Sequence, residues 1–293
     1  MKNVLVFGAT GMAGHMVTMY LSQFKVKYNV FNVCYRNKLD EKSFLCDIGN
    51  ISQVTEIVEK TNPDVIINCV GVLNKTAESD IKNTVYVNTF FPKFLARLGE
   101  LKKIKIIHLS TDCVFSGEKG GYTETSFKDE NGIYGLSKNL GEIYNGNSLT
   151  IRTSIIGPEL KNGSGLFHWF MSQDGEINGF KKAFWTGITT LELAKIIDRA
   201  IDEDIKGLYH MVPSSKISKY DLLNIFKKEF SKYNITIKEN SDYACDKSLI
   251  RTDNKFNFKV STYEKMIKEM KDWMIEHKDF YDLYFYEELC VLG

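Results

Sequence analysis

The chain has 293 residues, of which 43% are hydrophobic and 26% are charged, and its formal net charge is +1. This composition is ordinary for a folded globular protein, and the lack of a long basic run argues against a nucleic-acid partner. No apolar run approaches the ~20 residues that span a bilayer, and no signal peptide core is visible. The six cysteines form no C-x-x-C pair, and no Cys/His cluster is present. We therefore expect a cytoplasmic protein without a metal site or a membrane partner.

A short apolar strand, residues 3–7, runs into Gly8-Ala9-Thr10-Gly11-Met12-Ala13-Gly14, and a helix is predicted over residues 15–24. Glycines let backbone N–H groups approach a pyrophosphate, and a helix N-terminus favours its negative charge. The spacing is G-x-x-G-x-x-G rather than the G-x-G-x-x-G of the common dehydrogenases, and a tight turn that needs small residues is the alternative. The order of strand, glycine turn and helix favours dinucleotide binding.

The end of the second strand, predicted over residues 28–35, selects between the two nicotinamide cofactors. An acid at this position binds the 2′-hydroxyl of NAD, whereas an arginine accepts the 2′-phosphate of NADP. Arg36 and Lys38 follow the strand, and the first acid is Asp40. The sequence therefore predicts NADP(H) rather than NAD(H), with a solvated charged turn as the alternative. Asp47, at the end of a short third strand, is expected near the adenine.

The alternation of strands and helices continues as far as Pro158. The predicted elements are a helix over 51–60, a strand over 65–71, a helix over 85–98 that Pro92 kinks or breaks, a strand over 105–110, a helix from 134 to about 144 and a strand over 149–156. This pattern predicts an α/β fold with a doubly wound parallel sheet (Rossmann) over residues 1–157.

Beyond Pro158 the alternation loosens. Helices are predicted over residues 190–201, 219–233 and 261–277, and a strand over 207–212. We assign residues 158–293 to a smaller C-terminal α/β substrate-binding domain and expect residues 186–206 to return to the first domain.

Tyr134 and Lys138 are four residues apart, so they lie on one side of their predicted helix. A free phenol, with a pKa near ~10, is a sluggish acid or base at neutral pH. A neighbouring ammonium lowers that pKa, because at about 4 Å and an effective dielectric of about 20 it attracts the phenolate by ~4 kcal/mol. The pair predicts general acid–base chemistry, although an incidental pair on a surface helix has the same spacing.

Taken together, the glycine turn, Ser110-Thr111 at a strand end and Tyr134-x-x-x-Lys138 resemble the extended short-chain dehydrogenase/reductase superfamily. Four segments look like its dTDP-4-dehydrorhamnose reductase family: Leu109-Ser-Thr-Asp-Cys-Val-Phe-Ser-Gly117, Tyr134-Gly-Leu-Ser-Lys138, Thr190-Leu-Glu-Leu-Ala194, and Gly207-Leu-Tyr-His210 followed by Ile217-Ser-Lys-Tyr220. Two positions depart from the family's pattern. Cys113 stands where the family usually has a tyrosine. Residues 130–133 lack the proline that the family usually has shortly before the catalytic tyrosine, and both departures leave the particular sugar open.

The resemblance implies an NADPH-dependent oxidoreductase that reduces a nucleotide-linked 4-keto-6-deoxy sugar in nucleotide-sugar and polysaccharide biosynthesis. Tyr134 would donate the proton, Lys138 would lower its pKa and hold the nicotinamide ribose, and Thr111 would hydrogen-bond the reacting oxygen. The predicted cofactor-binding residues are Gly8, Thr10, Gly11, Met12, Gly14, Arg36, Asp47, Ile48, Val70, Gly71, Val72, Tyr134 and Lys138. The substrate candidates are Asn88, Cys113, Trp169 and Trp185, with core packing as the alternative for both tryptophans.

Two alternative functions stay open at this point. The regulatory β subunit of methionine adenosyltransferase resembles the same family and acts as a partner protein, but the intact set of Thr111, Tyr134 and Lys138 counts against a pure binder. A sugar-nucleotide epimerase with bound NAD is the other alternative, and Arg36 counts against it. Cys113 replaces the glutamate of the related dehydratases, which weakens a dehydratase function. The expected partner is a nucleotide sugar; a homodimer is also considered, although the sequence does not determine the assembly.

Overall fold

Residues 1–144, 146–161 and 163–285 are described by a computed structural model, so Cys290 and the last part of the predicted second domain lie outside the described residues. The strands are β1 (Lys2–Phe7), β2 (Tyr28–Cys34), β3 (Ser43–Leu45), β4 (Val65–Asn68), β5 (Lys105–Ser110), β6 (Ser148–Arg152), β7 (Ile155–Ile156), β8 (Gly175–Trp185), β9 (Ile188–Thr189), β10 (Gly207–His210), β11 (Ile217–Ser218) and β12 (Ile235–Asp246). The helices are α1 (Met12–Ser22), α2 (Ile51–Thr61), α3 (Asn74–Ala77), α4 (Ile81–Val85), α5 (Phe91–Lys102), α6 (Ile133–Gly141), α7 (Leu166–Met171), α8 (Thr190–Asp202), α9 (Lys219–Glu229) and α10 (Tyr263–Glu276). None of the helices in this described part is long and apolar enough to cross a bilayer.

Seven parallel strands form the central sheet in the order β10-β6-β5-β4-β1-β2-β3. The predicted doubly wound Rossmann sheet is confirmed. The strand order reverses between β1 and β4, and open sheets of this kind bind ligands at the carboxyl ends of the strands beside that reversal. The seventh strand, β10, comes from the later part of the chain and pairs with β6, so the return to the central sheet extends to His210. The domain boundaries themselves stay a prediction.

Helices cover both faces of the central sheet because successive strand residues point to opposite sides. In β1, Val4 and Val6 join the core beneath α1 and α8, whereas Leu5 and Phe7 join the core beneath α2 and α5. All four side chains are completely buried, as expected for a parallel strand with helices on both faces.

A second, three-stranded sheet has the order β11-β8-β12, with β8 and β12 parallel and β11 antiparallel to β8. It confirms a smaller C-terminal α/β unit, but the sequence pattern does not predict β8 or β12, the two longest strands. β8 buries part of one face, whereas β12 buries only Ile235, and the charged residues of both strands hide their apolar alternation. Ile177 and Trp185 of β8 belong to the buried face.

The predicted helix over residues 85–98 is wrong in one respect, because it is divided before Pro92 rather than at it. A π-helical turn, Tyr86–Phe90, separates α4 from α5, and Pro92 lies in the first turn of α5. A proline is tolerated there because the first N–H groups of a helix have no intrahelical acceptor. The helix that contains Tyr134 is also shorter than predicted and ends at Gly141.

Candidate active site

The glycine turn lies between β1 and the first turn of α1. Gly8 has a φ of +79°, which favours glycine, and its N–H donates to the Val33 carbonyl at 3.0 Å. A Cβ on Gly14 would lie 2.1 Å from the Gly8 oxygen, so glycine is needed for α1 to begin this close to the strand. Gly11 precedes α1 without a side-chain cap, and the first turn contains no acid. Thr10 and Met12 lie on either side of Gly11. The free N–H groups at the start of α1 can therefore donate hydrogen bonds to an anion.

The loop after β2 exposes the positive charge of Arg36, whereas the carboxylate of Asp40, its first acid, is hydrogen-bonded within the protein. Arg36 is exposed and lies over the Tyr35 ring, with 5.1 Å from the guanidinium carbon to the ring centroid. Asp40 Oδ1 instead accepts hydrogen bonds from Asn32 Nδ2 at 2.9 Å and from the Lys42 N–H at 2.8 Å. Arg36 is thus better placed than Asp40 to meet a ligand at the end of β2.

The residues predicted around the adenosine follow β3 and β4. Asp47 is exposed, and its carboxylate accepts the Gly49 N–H at 2.8 Å. The Ile48 carbonyl accepts the Tyr86 hydroxyl at 3.0 Å. The turn Val70-Gly71-Val72 follows β4, the strand beside the reversal of strand order. These residues therefore line the same edge of the sheet as the glycine turn.

Asn88 is buried and holds two parts of this edge together. Its Oδ1 accepts the Val72 N–H at 2.9 Å, and its Nδ2 donates to the Val72 carbonyl and to Ser137 Oγ, both at 3.1 Å. The carboxamide thereby connects the turn after β4 to α6. The predicted substrate contact of Asn88 has no support in this arrangement, and we assign the residue a positioning role.

Thr111, Tyr134 and Lys138 meet beyond the carboxyl end of β5. The Thr111 hydroxyl donates to Asp112 Oδ1 and accepts the Cys113 N–H, both at 3.1 Å, and it is near enough to the Tyr134 phenol to lower the pKa of that phenol. Lys138 is buried, and its Nζ donates to the Leu109 carbonyl at 2.6 Å. A hydroxyl, a phenol and an ammonium therefore converge where a carbonyl substrate could bind.

Burial governs the acid–base properties of this group. It raises the pKa of the Tyr134 phenol above its ordinary value, Cys113 and Asp112 raise it further, and Thr111 opposes them. It lowers the pKa of Lys138 to about 8, against the attraction of the Glu142 carboxylate. The expected lowering of the Tyr134 pKa by Lys138 is therefore not found, because burial dominates and the ammonium is bound to a carbonyl oxygen.

Close packing of α6 fixes the position of Tyr134. A Cβ on Gly135 would lie 2.3 Å from both the Cys113 carbonyl oxygen and Glu130 Cγ. The absence of a side chain there lets α6 approach the 3₁₀ turn Asp112–Val114 that follows Thr111. Gly135, within the Tyr-x-x-x-Lys segment, is therefore required for the close packing of α6 against this turn.

A buried ion pair supports the site from behind. Arg152 Nη2 donates to Glu142 Oε2 at 2.7 Å, and Ser110 Oγ donates to Glu142 Oε1 at the same distance. Burial opposes ionisation of Glu142, but Arg152, Tyr144 and Ser110 together hold its pKa below the ordinary value. Ser110 therefore faces this pair rather than the ligand crevice.

The other substrate candidates lie apart from one another. Cys113 is half-buried beside Thr111, and burial raises the pKa of its thiol to about 12. Trp169 is exposed on α7, whereas Trp185 is buried at the end of β8 with its ring 6.0 Å from that of Tyr263. Core packing accounts for Trp185.

Two lysines near Cys113 escaped the sequence analysis because no motif marks them. Lys219 and Lys247 are far from Cys113 in sequence, but both act on the pKa of groups beside it. Only the folding of the small sheet against the loop after β5 brings them here. In the described residues, no group of three or more His, Cys, Asp or Glu side chains could hold a metal ion.

A family model described as "RmlD substrate binding domain" matches residues 1–280 of the chain. The chain belongs to this family. The match confirms the resemblance to dTDP-4-dehydrorhamnose reductases that the sequence motifs indicate.

Individual relatives agree with this membership. The chain is 27% identical over 234 residues to dTDP-4-dehydrorhamnose reductase of Aggregatibacter actinomycetemcomitans, covering 75% of this chain and 76% of the relative. It is 23% identical over 237 residues to methionine adenosyltransferase 2 subunit beta of Xenopus tropicalis, covering 75% and 70%. The solved structure of dTDP-4-dehydrorhamnose reductase from Bacillus anthracis in complex with NADP superposes with a TM-score of 0.78 at 23% identity, covering 92% and 98%. That likeness shows the fold.

Proposed function

We propose that this protein is an NADPH-dependent reductase of a nucleotide-linked 4-keto-6-deoxy sugar, active in nucleotide-sugar biosynthesis. The observation that carries the proposal is the placement of Thr111, Tyr134 and Lys138 at the edge of the sheet that also carries the glycine turn. Membership of the family and the reductase relative of Aggregatibacter actinomycetemcomitans support the substrate class. The 4-keto position and the 6-deoxy character of the sugar follow from that relative's name alone.

The site residues suit the reduction of a ketone. NADPH, when bound, would supply the hydride, and the protein's part is to position the ketone and to stabilise the charge that develops on its oxygen. Tyr134 is a protonated phenol at neutral pH, and because burial raises its pKa it releases the proton only to a strongly basic oxygen such as the alkoxide that hydride transfer would form. Thr111 would hydrogen-bond the same oxygen. The Lys138 ammonium, which is retained below about pH 8, would stabilise the phenolate left behind.

Residues for the cofactor can be assigned along the same edge of the sheet. Gly8, Ala9 and Gly11 already use their N–H groups in hydrogen bonds to backbone carbonyls, so the remaining N–H groups of the turn Gly8–Gly14 would hold the pyrophosphate. Arg36 would bind the 2′-phosphate. Asp47, Ile48 and the turn 70–72 would surround the adenosine and ribose. The inward engagement of Asp40 supports NADP(H) over NAD(H), because the first acid after β2 is already bound to Asn32. The NADP complex of the Bacillus anthracis protein is consistent with this choice.

The two alternatives have less support. The relative from Xenopus tropicalis carries the name of a subunit of methionine adenosyltransferase, and it keeps a binding role under consideration. A pure binder has no need to bring Thr111, Tyr134 and Lys138 together at one strand end. Stoichiometric co-purification with another enzyme, together with no NADPH oxidation in the presence of any keto sugar nucleotide, would favour the regulatory alternative.

We also infer a homodimer, a cytoplasmic location and no nucleic-acid partner. Leu136 and Leu140 lie four residues apart on α6, and Leu140 is 60% exposed. Phe90 is 47% exposed on the π-helical turn, which binds α6 through the Thr89 hydroxyl and the Ser137 carbonyl at 2.8 Å. An exposed apolar surface of this kind is typical of a protein interface. The five described cysteines are all free, which supports a reducing compartment, and the net charge of +1 gives no basis for nucleic-acid binding.

The reaction can be tested by following NADPH consumption with a panel of nucleotide-linked 4-keto sugars and by determining the configuration of the product at C4. We expect turnover with at least one member. Tyr134→Phe removes the proton donor and should lower kcat by about a hundredfold or more while NADPH affinity is retained. Near-normal turnover of this variant would contradict the role of Tyr134, and no consumption with any member would contradict the proposed function.

A further inference from the structure

The small sheet brings three chain segments to the edge that faces Thr111. Ser218, Phe184 and Asp246 form one row across β11, β8 and β12. Lys219, Trp185 and Lys247 each follow a member of that row in sequence. The Asp246 N–H donates to the Gly117 carbonyl at 2.7 Å, which joins this edge to the loop after β5. The first residue of α9 is thereby held near the catalytic group.

The lysines at this edge differ in their partners. Lys216 Nζ lies 2.5 Å from Asp246 Oδ2, and Lys247 Nζ lies 3.0 Å from Glu130 Oε2. Lys219 is half-buried, and among the described residues we find no hydrogen-bond acceptor or ion-pair partner for its ammonium. Its Nζ lies over the Trp185 ring, 5.0 Å from the centroid. An ammonium in a half-buried position that is not engaged by a protein acceptor is available to an oxygen atom of a ligand.

The surroundings of Lys219 place it on the substrate side of the site. Burial lowers the pKa of Lys219, and Asp112 and Cys113 oppose that effect. Conversely, burial raises the pKa of Asp112, and Lys219 is the first group to oppose it. Asp112 and Cys113 directly follow Thr111, so Lys219 lies near the residues next to Thr111.

We propose that Lys219 binds the phosphate that carries the sugar and thereby anchors the substrate for reduction. The proposal rests on the proposed function, in which one sugar ring separates the C4 ketone at Tyr134 from the phosphate at C1. A lysine is a compact cation with three rotatable donors and suits a phosphate oxygen as a point charge. The Trp185 face restrains the ammonium by a cation–π contact, which makes Trp185 a positioning residue. Lys219 is the one ammonium of these three that is not already paired within the described structure.

The test compares Lys219→Met with Lys216→Met in protein saturated with NADP⁺. Lys216 is a matched control because it belongs to the same segment and is already paired with Asp246. Dissociation constants for dTDP, UDP and GDP are measured by calorimetry. We expect Lys219→Met to weaken the tightest of them by about tenfold to a hundredfold, the loss of one charge-assisted hydrogen bond, and Lys216→Met to leave it within about twofold. Lys219→Arg retains the charge and should recover most of the affinity.

Several outcomes would overturn the assignment. Unchanged nucleotide affinity in Lys219→Met contradicts it, including the case in which KM for the keto sugar rises, because Lys219 would then bind the sugar. Failure of the wild-type protein to bind any of the three nucleotides also contradicts it. Unchanged NADPH affinity and a melting temperature that is not lowered in Lys219→Met exclude a general loss of structure. Binding that depends on Lys219 without turnover of any keto sugar would contradict the proposed reaction but not the phosphate site.

Discussion

Tyr134 and Lys138 show opposite pKa shifts with one cause. Burial disfavours the charged form of each group, so it raises the pKa of the phenol and lowers that of the ammonium to about 8. The phenol therefore holds its proton until an acceptor arrives, and the ammonium is close to the pH range in which it would be lost. The Leu109 carbonyl and the Glu142 charge favour the ammonium that the reaction requires.

The shift of Lys138 predicts a pH-dependent stability. Its pKa in the folded protein lies below the ordinary value, so the penalty for burying the ammonium is complete below about pH 8 and disappears as the pH rises toward the ordinary lysine pKa. Lys138→Met removes that penalty. In the absence of NADP(H), it should increase the free energy of unfolding at pH 7 by up to about 3 kcal/mol, less the contribution of the lost hydrogen bond.

Urea denaturation at pH 7 and at about pH 9.5 measures this difference. The advantage of the variant should shrink at the higher pH, whereas an exposed lysine such as Lys82, changed to Met, should show little dependence. A difference between wild type and Lys138→Met that is the same at both pH values would refute the argument.

Arg36 predicts the cofactor preference. Its guanidinium is exposed at the end of β2, so Arg36→Ala should remove the contact with the 2′-phosphate and weaken NADPH binding by about tenfold or more. NADH lacks that phosphate, and its affinity should change little. Fluorescence titration of both cofactors measures the effect, with Arg97→Ala on α5 as a control. Equal losses for NADPH and NADH would show that Arg36 does not read the phosphate.

At the scale of elements, the π-helical turn Tyr86–Phe90 and α6 determine the shape of the site. The π-helical turn carries Asn88, whose carboxamide binds the turn after β4 on one side and Ser137 of α6 on the other. A Cβ on Gly141 would lie 1.9 Å from the Asn88 carbonyl oxygen, so the two elements touch through their backbones. The turn after β4 and α6 are thus held in one register by buried contacts.

Gly135→Ala tests the close packing of α6. Its methyl group would lie 2.3 Å from the Cys113 oxygen and should destabilise the protein by about 1–3 kcal/mol. It should also lower kcat, because Tyr134 is the preceding residue and would move with the helix. Gly132→Ala is the matched control, since its nearest contact would be at 3.5 Å. Thermal denaturation and steady-state kinetics of both variants measure this, and equal effects would contradict the steric argument.

At the scale of the whole molecule, the loop after β5 of the central sheet is joined to the segment after β12 of the small sheet. The Tyr122 N–H donates to the Ser248 carbonyl at 2.9 Å, and the Ile250 N–H donates to the Tyr122 carbonyl at 2.7 Å. The Phe115 and Tyr122 rings stack with centroids 4.2 Å apart, within a small core of their own. Lys219 and Lys247 lie near Cys113 because these hydrogen bonds and this ring stacking hold the small sheet against the loop after β5.

The apolar face of α6 predicts the assembly. Leu140→Glu places a charge at the centre of the proposed homodimer interface and should convert a dimer into a monomer, because burying an unpaired carboxylate is unfavourable. Leu101→Glu is the control, since Leu101 is also exposed but lies at the far end of α5. Size-exclusion chromatography with light scattering distinguishes the two states. A wild-type protein that is monomeric at all accessible concentrations would reject the dimer.

Features that depend only on residues close together in the chain could be predicted from the sequence. Residues 3–14 show a buried strand, a glycine turn and a helix start in one continuous segment, and the spacing of Tyr134 and Lys138 follows from helical geometry alone. The Rossmann sheet follows from repeating that local pattern, which is why its strands and helices could be predicted in order.

Only the tertiary structure decided which strands pair, which side chains bond to one another and in which direction the pKa values shift. The pairing of β8 with β12 joins segments some sixty residues apart, and their half-exposed faces carry charges that hide the strand pattern. The direction of the Tyr134 pKa shift depends on burial, and the hydrogen bonds of Asn88 depend on two other elements. Lys219 has no ion-pair partner among the described residues because the neighbouring carboxylates of Asp246 and Glu130 pair with other lysines. Desolvation and pairing are properties of distant residues brought together, and short-range patterns in the chain do not contain them.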